Sequence, residues 1–287
     1  MRMAAFDLTR PAARTSCVVF ASPHSGRDYP ETLLARTRLG SRQIRSSEDA
    51  FVDRLFAAAP EHGAPLIAAR VPRAWIDLNR AADELDPALI EGVTRRSHNP
   101  RVASGLGVIP RVVAGGRAIY TGKIDLAEAR ERLATGWAPY HAALDALLAE
   151  SHAQFGESIL IDCHSMPHEA IDLAGGPGGQ RPQVVLGDRY GAAAAPRIVA
   201  RIEAAFADAG FKVARNTPFA GAYVTQAYGR PARRQHAVQI EIDRALYMDE
   251  ARIAPHAGFE PFRARLAAVI AEIAAIGRPE IERLAAE

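Results

Sequence analysis

Two short runs place imidazoles where apolar strands stop. Ile159-Leu-Ile-Asp-Cys-His164-Ser-Met-Pro167 passes from three large aliphatic residues to Asp162, His164 and Ser165, and Pro167 cannot continue a ladder. Val18-Val-Phe-Ala-Ser-Pro-His24-Ser-Gly26 repeats the form. One such histidine alone reads as a core imidazole bonded to a neighbour. Two at the ends of buried strands point to a site, because open α/β sheets bind ligands beyond their strand ends. Further polar groups fall at predicted strand ends: Asp77, Asn79 and Arg80 in one run, and Glu241 in His236-Ala-Val-Gln-Ile-Glu-Ile-Asp243. Two neutral imidazoles and one carboxylate are a common set for a catalytic zinc that keeps a position open for water. A further carboxylate, not bound to the metal, can take the proton of that water while the metal polarises a carbonyl. Arginine beside asparagine, as at Asn79-Arg80, forms a fork for a substrate carboxylate. Together these groups are chemically sufficient to hydrolyse an amide, although no His-Glu-x-x-His motif is present.

Each of these residues also has a plainer reading. A helix is predicted from Ser46-Ser-Glu48-Asp49 to about Pro60, with Phe51, Leu55 and Phe56 as its apolar stripe. Ser46 with Asp49 then resembles a capping box, and acidic residues in a first turn complement the helix dipole, so Asp49 and Asp53 on their shared face need not be ligands. Asp77 and Arg80 read equally as a surface ion pair. Glu241 alternates with Val238, Ile240 and Ile242, which permits it to face solvent. His141 and His152 sit in helical spacing and read as surface or core residues. Gly175-Gly-Pro-Gly-Gly179 lacks the Lys-Ser/Thr ending of a phosphate loop and reads as a mobile loop.

The elements that must position these groups alternate between strands and helices. Strands are predicted at 17–22, 66–71, 73–80, 159–164, 184–188, 211–214 and 236–243. Helices are predicted at about 125–155, broken near Gly136 and Pro139, at 191–209 and at 255–276. The glycine-containing, aromatic segment 216–230, with Tyr223, suits a substrate-facing loop. Residues 81–122 read as a loop-rich insertion able to wall a pocket. The pattern predicts an α/β fold of one domain over 1–287, a three-layer sandwich around a mixed, largely buried sheet.

Of the chain's 287 residues, 48% are hydrophobic and 24% charged, which allows a substantial core. The net charge is +2, and the 33 arginines are scattered rather than gathered in a stripe, which argues against nucleic-acid or membrane-surface partners. Cys17 and Cys163 lie inside apolar strand patterns and read as buried thiols without a disulfide framework, as expected of a cytoplasmic protein. No apolar run is long enough to span a bilayer, and Asp7, Arg10 and Arg14 interrupt any signal-peptide core.

Seven segments in chain order also carry a resemblance: Pro23-His-Ser-Gly26, Asp49-x-x-x-Asp53-Arg-Leu55, Ile76-Asp-Leu-Asn-Arg80, Tyr140-His141, Asp162-Cys-His-Ser-Met-Pro167, Leu186-Gly-Asp-Arg189, and Gln239-Ile-Glu-Ile-Asp-Arg with Leu246-Tyr-Met-Asp-Glu250. As a set they resemble the N-formylglutamate amidohydrolase family. The resemblance implies a phosphorylase/hydrolase-like fold akin to zinc carboxypeptidases. It also implies hydrolysis of an N-acyl amino acid, in the named case N-formyl-L-glutamate to formate and glutamate, a step of histidine degradation. By the same resemblance His24, Asp49 and His164 would bind one zinc ion, with Glu241 as general base and Arg73 as a second catalytic group. Asn79, Arg80, Asp77 and Tyr223 would contact the substrate. The chain has Glu48-Asp49-Ala50 where the family commonly has a Thr-Asp-Trp-like sequence, which leaves Glu48 as the alternative acidic ligand.

Overall fold

The computed structural model describes residues 4–94, 99–174 and 181–278. Seven strands form one sheet: β1 (Phe6–Thr9), β2 (Val18–Ser22), β3 (Leu66–Ala69), β4 (Ser158–Met166), β5 (Val184–Gly187), β6 (Val213–Arg215) and β7 (Gln235–Asp243). Their spatial order is β1-β3-β2-β4-β7-β5-β6. The central β3, β2, β4 and β7 run parallel, β1 lies antiparallel on β3, and β5 pairs antiparallel with β7 and parallel with β6. The sheet is therefore mixed, as the alternating pattern predicts.

Strand alternation divides the core in two. Phe20, Ile159, Ile161, Cys163, Val238, Ile240 and Ile242 belong to one apolar cluster with the helices Pro196–Asp208 and Phe259–Ile276. Val19, Ala21, Ile67, Leu160 and Ala237 belong to the other, with the helix Ala138–Phe155 and the segment 71–124. On this second face β4 and β7 turn polar toward their C-terminal ends, and the register sets Asp162 beside Gln239 and His164 beside Glu241. A buried sheet tolerates four such neighbours only where hydrogen bonds, ion pairs or a metal satisfy them.

The structure departs from the sequence reading where local pattern and tertiary demand conflict. Phe6–Thr9 is a short edge strand that lies ahead of the first predicted strand. Residues 73–80 form no strand. Their carbonyls are satisfied by side chains from the following helices instead: Trp75 O accepts from Arg132, Leu78 O from His141 and Arg80 O from Trp137. Burial pushes His141 down to about 4, so a neutral ring donates Nε2–H to Leu78 and accepts from the Tyr228 hydroxyl at Nδ1. The predicted break near Gly136 is a π turn, Leu133–Trp137, that joins Leu126–Arg132 to Ala138–Phe155 without interruption. A Cβ on Gly136 would lie 2.7 Å from the Trp75 ring, so glycine is what lets the turn close on that segment. Pro196 delays the helix predicted from 191 to Pro196–Asp208, and the final helix starts at Phe259. The glycine run 175–179 lies outside the described residues. Among the described residues no helix is long and apolar enough to cross a membrane.

Candidate metal centre and substrate pocket

The helix predicted from Ser46 is mostly absent. Phe51 takes a left-handed conformation, φ 69°, and only Val52–Leu55 is α-helical. The turn releases Asp49 from any cap and brings it under the strand ends, where its N–H donates to the His24 carbonyl at 3.0 Å. Asp53 instead pairs with Arg27. Asp49 Oδ2 stands 2.9 Å from His164 Nδ1 and 3.4 Å from His24 Nδ1. One ligand atom from each of these three buried residues lies within 4.8 Å of the others, a spacing that one metal ion can bridge. Glu48 points away: Arg45 grips both its oxygens, and the Tyr29 hydroxyl donates to Oε1 at 2.6 Å.

Both imidazoles are oriented from behind. His24 Nε2 donates to Asp77 Oδ1 at 2.7 Å, and His164 Nε2 lies 3.0 Å from Asp162 Oδ2. Asp77 also accepts from Asn79 N and from Arg73 Nε, so it serves as acceptor only. With Nε2–H given to Asp77, His24 Nδ1 presents a lone pair, and it is a buried nitrogen without a hydrogen-bond partner. A lone pair aimed at a carboxylate oxygen is repulsive unless a cation or proton lies between them. Carboxylates holding the far nitrogens of two histidines are also the usual support of a metal site. The donor set therefore fits a divalent ion.

Protonation follows the same arrangement. Burial would raise Asp49 and Asp77, but histidine contacts hold Asp49, and Arg73 with His24 holds Asp77, well below the usual carboxylate range. Burial would lower His164, and the flanking Asp162 and Asp49 raise it well above its ordinary value instead. Bound metal would replace that proton. Glu241 behaves oppositely to the other carboxyls: burial, with Asp49 nearby, pushes it up to about 7 although His164, Arg244 and Arg73 oppose the rise. Carboxyls driven apart in this way divide the work of binding charge and moving protons.

A cavity of about 660 Å³ opens over these groups. Of the residues singled out in the sequence, His24, Asp49, Arg73, Asn79, Arg80, His164 and Glu241 line it; Asp77 and Tyr223 do not. Asp77 lies behind His24. Tyr223 begins the helix Tyr223–Tyr228 and packs on Trp137 and His141. Asn79 is fully engaged, its amide nitrogen against Asp162 Oδ2 and His164 Nε2 and its oxygen accepting from Val224 N, so it braces the wall rather than offering a free amide. Arg80 gives Nε to Leu106 O and Nη1 to Asn79 O. Of its five N–H groups three remain, enough for a bidentate carboxylate.

Several lining residues had no assigned role in the sequence reading. Arg244 bonds Asp49 Oδ1, Glu48 O and Ser165 Oγ, securing the carboxylate from the side opposite the histidines. Its signal was the run that begins at Gln239, which it closes. Asn216, at φ 61°, exchanges hydrogen bonds with Asp188 and accepts from Tyr190 N, placing the exposed Tyr190 ring at the cavity mouth. Gly187 is required there, because a Cβ would lie 2.7 Å from the backbone of Ala220 and Gly221. This explains the Leu186-Gly-Asp-Arg189 segment as the seat of the 216–222 loop. Residues 101–116 supply much of the remaining wall, including Arg101 and Leu106.

Comparison with known proteins bears on this geometry. A family model described as N-formylglutamate amidohydrolase matches residues 16–248. A protein of Pseudomonas aeruginosa named N-formylglutamate deformylase is 34% identical over 236 residues, 81% of this chain and 82% of that protein. One of the same name from Pseudomonas putida is 30% identical over the same shares. The crystal structure of an N-formylglutamate amidohydrolase from Ralstonia eutropha superposes with a TM-score of 0.89 at 34% identity, over 96% of this chain and 99% of that one.

Proposed function

The chain belongs to the N-formylglutamate amidohydrolase family, and from that premise we propose that it is a zinc-dependent deformylase converting N-formyl-L-glutamate and water to formate and L-glutamate. The observation that carries this reading is the orphaned His24 Nδ1 facing Asp49 and His164 at the floor of a cavity that also presents Glu241 and Arg80. His24, Asp49 and His164 would hold the metal. When bound, it supplies the positive charge that acidifies water and polarises the amide carbonyl.

The chain's own groups account for the rest. Glu241 takes a proton from the attacking water as oxygen adds to the formyl carbon, and returns it to the amine as the C–N bond breaks. Its pKa near 7 suits both transfers. Arg73, fixed by Asp77 and facing the cavity, donates to the charge that develops on the amide oxygen. Arg80 anchors the α-carboxylate, and burial of the site keeps water from competing for it. We read 1–287 as one amidohydrolase domain with 81–122 as its pocket wall, working in the cytoplasm on a small N-acyl amino acid.

The test is metal analysis of the purified protein together with formate release from N-formylglutamate. One zinc per chain with turnover supports the proposal. Zinc with turnover only on other N-acyl amino acids would move the substrate, and a protein that neither binds metal nor releases formate would overturn the reading.

A further inference from the structure

We propose that Arg101 is the residue that selects a dicarboxylic substrate, by pairing with the distal carboxylate of the N-acyl amino acid. The inference rests on the amidohydrolase reading and deepens it. Four arginines line the cavity: Arg73, Arg80, Arg101 and Arg244. Arg73 is held by Asp77 through Nε and serves the amide oxygen, Arg244 is committed to Asp49, Glu48 O and Ser165, and Arg80 is braced by two backbone carbonyls. Among the described residues no hydrogen bond or ion pair engages the Arg101 guanidinium. It is an exposed cation on the wall of a site built for an anion.

Its placement relative to Arg80 is specified. Leu106 N donates to Arg101 O at 2.8 Å, and Leu106 O accepts from Arg80 Nε at 2.9 Å. Both arginines are thus tied to one residue. Asn99 caps the short helix Pro100–Ala103 through Arg101 N, and Arg111 ties its end through Ala103 O, so the segment cannot drift independently of Arg80. Burial weakens the hold of Arg80 on its proton, and the charges of Arg73 and Arg101 act in the same direction. The two cations line one cavity and repel, and a ligand with two carboxylates a few bonds apart relieves that repulsion. A substrate with one carboxylate would satisfy Arg80 and leave Arg101 facing solvent.

The experiment compares N-formylglutamate with N-formylglutamine, which has the same length but a neutral distal amide, on zinc-loaded wild-type, Arg101→Ala and Arg101→Lys proteins. The wild type should prefer the diacid in kcat/KM. Arg101→Ala should shrink that preference about tenfold or more, with the change carried by KM, and Arg101→Lys should restore part of it. A preference retained in Arg101→Ala, or equal losses on both substrates, would overturn the role of Arg101 while leaving the deformylase reading intact. A wild type equally active on both substrates would overturn selection of a dicarboxylate. A zinc-loaded wild type that releases formate from neither would overturn the underlying reading and this inference with it.

Discussion

Replacing Glu241 with glutamine should stabilise the metal-free protein at alkaline pH while removing its activity. The carboxyl is buried beside Asp49, and burial lifts it from its ordinary 4.5 to about 7. A folded-state value above the unfolded one means that the folded chain binds the extra proton between those limits. Ionising Glu241 therefore costs the folded state, and the cost is absent below the unfolded value and fully developed above the folded one. At ~1.36 kcal/mol per pH unit, the interval corresponds to at most about 3 kcal/mol. Glutamine retains an acceptor for Gln239 Nε2, which donates to Glu241 Oε1 at 2.8 Å, and it carries no charge. The assay is urea unfolding of chelator-treated wild type and Glu241→Gln across a pH series. The advantage of the variant should be small near pH ~5 and should grow to the order of 2 to 3 kcal/mol by pH ~8. The value of about 7 already includes the opposing charges of His164, Arg244 and Arg73. With zinc restored, the same variant should bind metal but lose roughly 10²-fold or more in kcat. A stability difference independent of pH would refute the argument that burial controls this carboxyl, and near-normal turnover would refute its role as base.

Other consequences can be measured at the same site. Asp49→Ala should lose metal and activity together, whereas Glu48→Ala should retain metal and lose about 1 to 3 kcal/mol of stability through the abandoned Arg45 and Tyr29 partners, seen by metal analysis and thermal unfolding. Asp77→Ala removes the support of His24 Nε2 and should weaken zinc affinity by about 10- to 100-fold in a chelator competition, with the fold preserved by circular dichroism. Arg80→Lys should raise KM for N-formylglutamate because a point charge cannot reproduce a bidentate pair, yet it should matter little for the α-amide of that substrate. Equal losses on acid and amide would assign Arg80 to structure.

His24 and His164 were legible in the sequence because a strand pattern is local. Three aliphatic residues followed by polar ones and proline mark a buried strand and its end without reference to the rest of the chain. Alternation along 236–243 likewise set Glu241 on the face opposite Val238, Ile240 and Ile242. Whether that face met solvent or a site depended on strand pairing. Only the parallel register of β4 with β7 puts Glu241 beside His164, and cross-strand neighbours 77 residues apart leave no local trace. The choice between Glu48 and Asp49 was tertiary for a similar reason. Helical pattern and capping chemistry favoured a continuous helix from Ser46, but the left-handed turn at Phe51 overrides them, because it brings Asp49 between two imidazoles and Arg244. The segment 73–80 shows the limit most clearly. Its apolar stretch ending in polar groups reads as a strand, yet its carbonyls are met by Arg132, Trp137 and His141 from distant helices, so no ladder is needed. Local sequence determined which side chains stand at strand ends. Long-range pairing decided which of them face one another, because the hydrogen bonds and ion pairs that fix a site join residues that no periodicity connects.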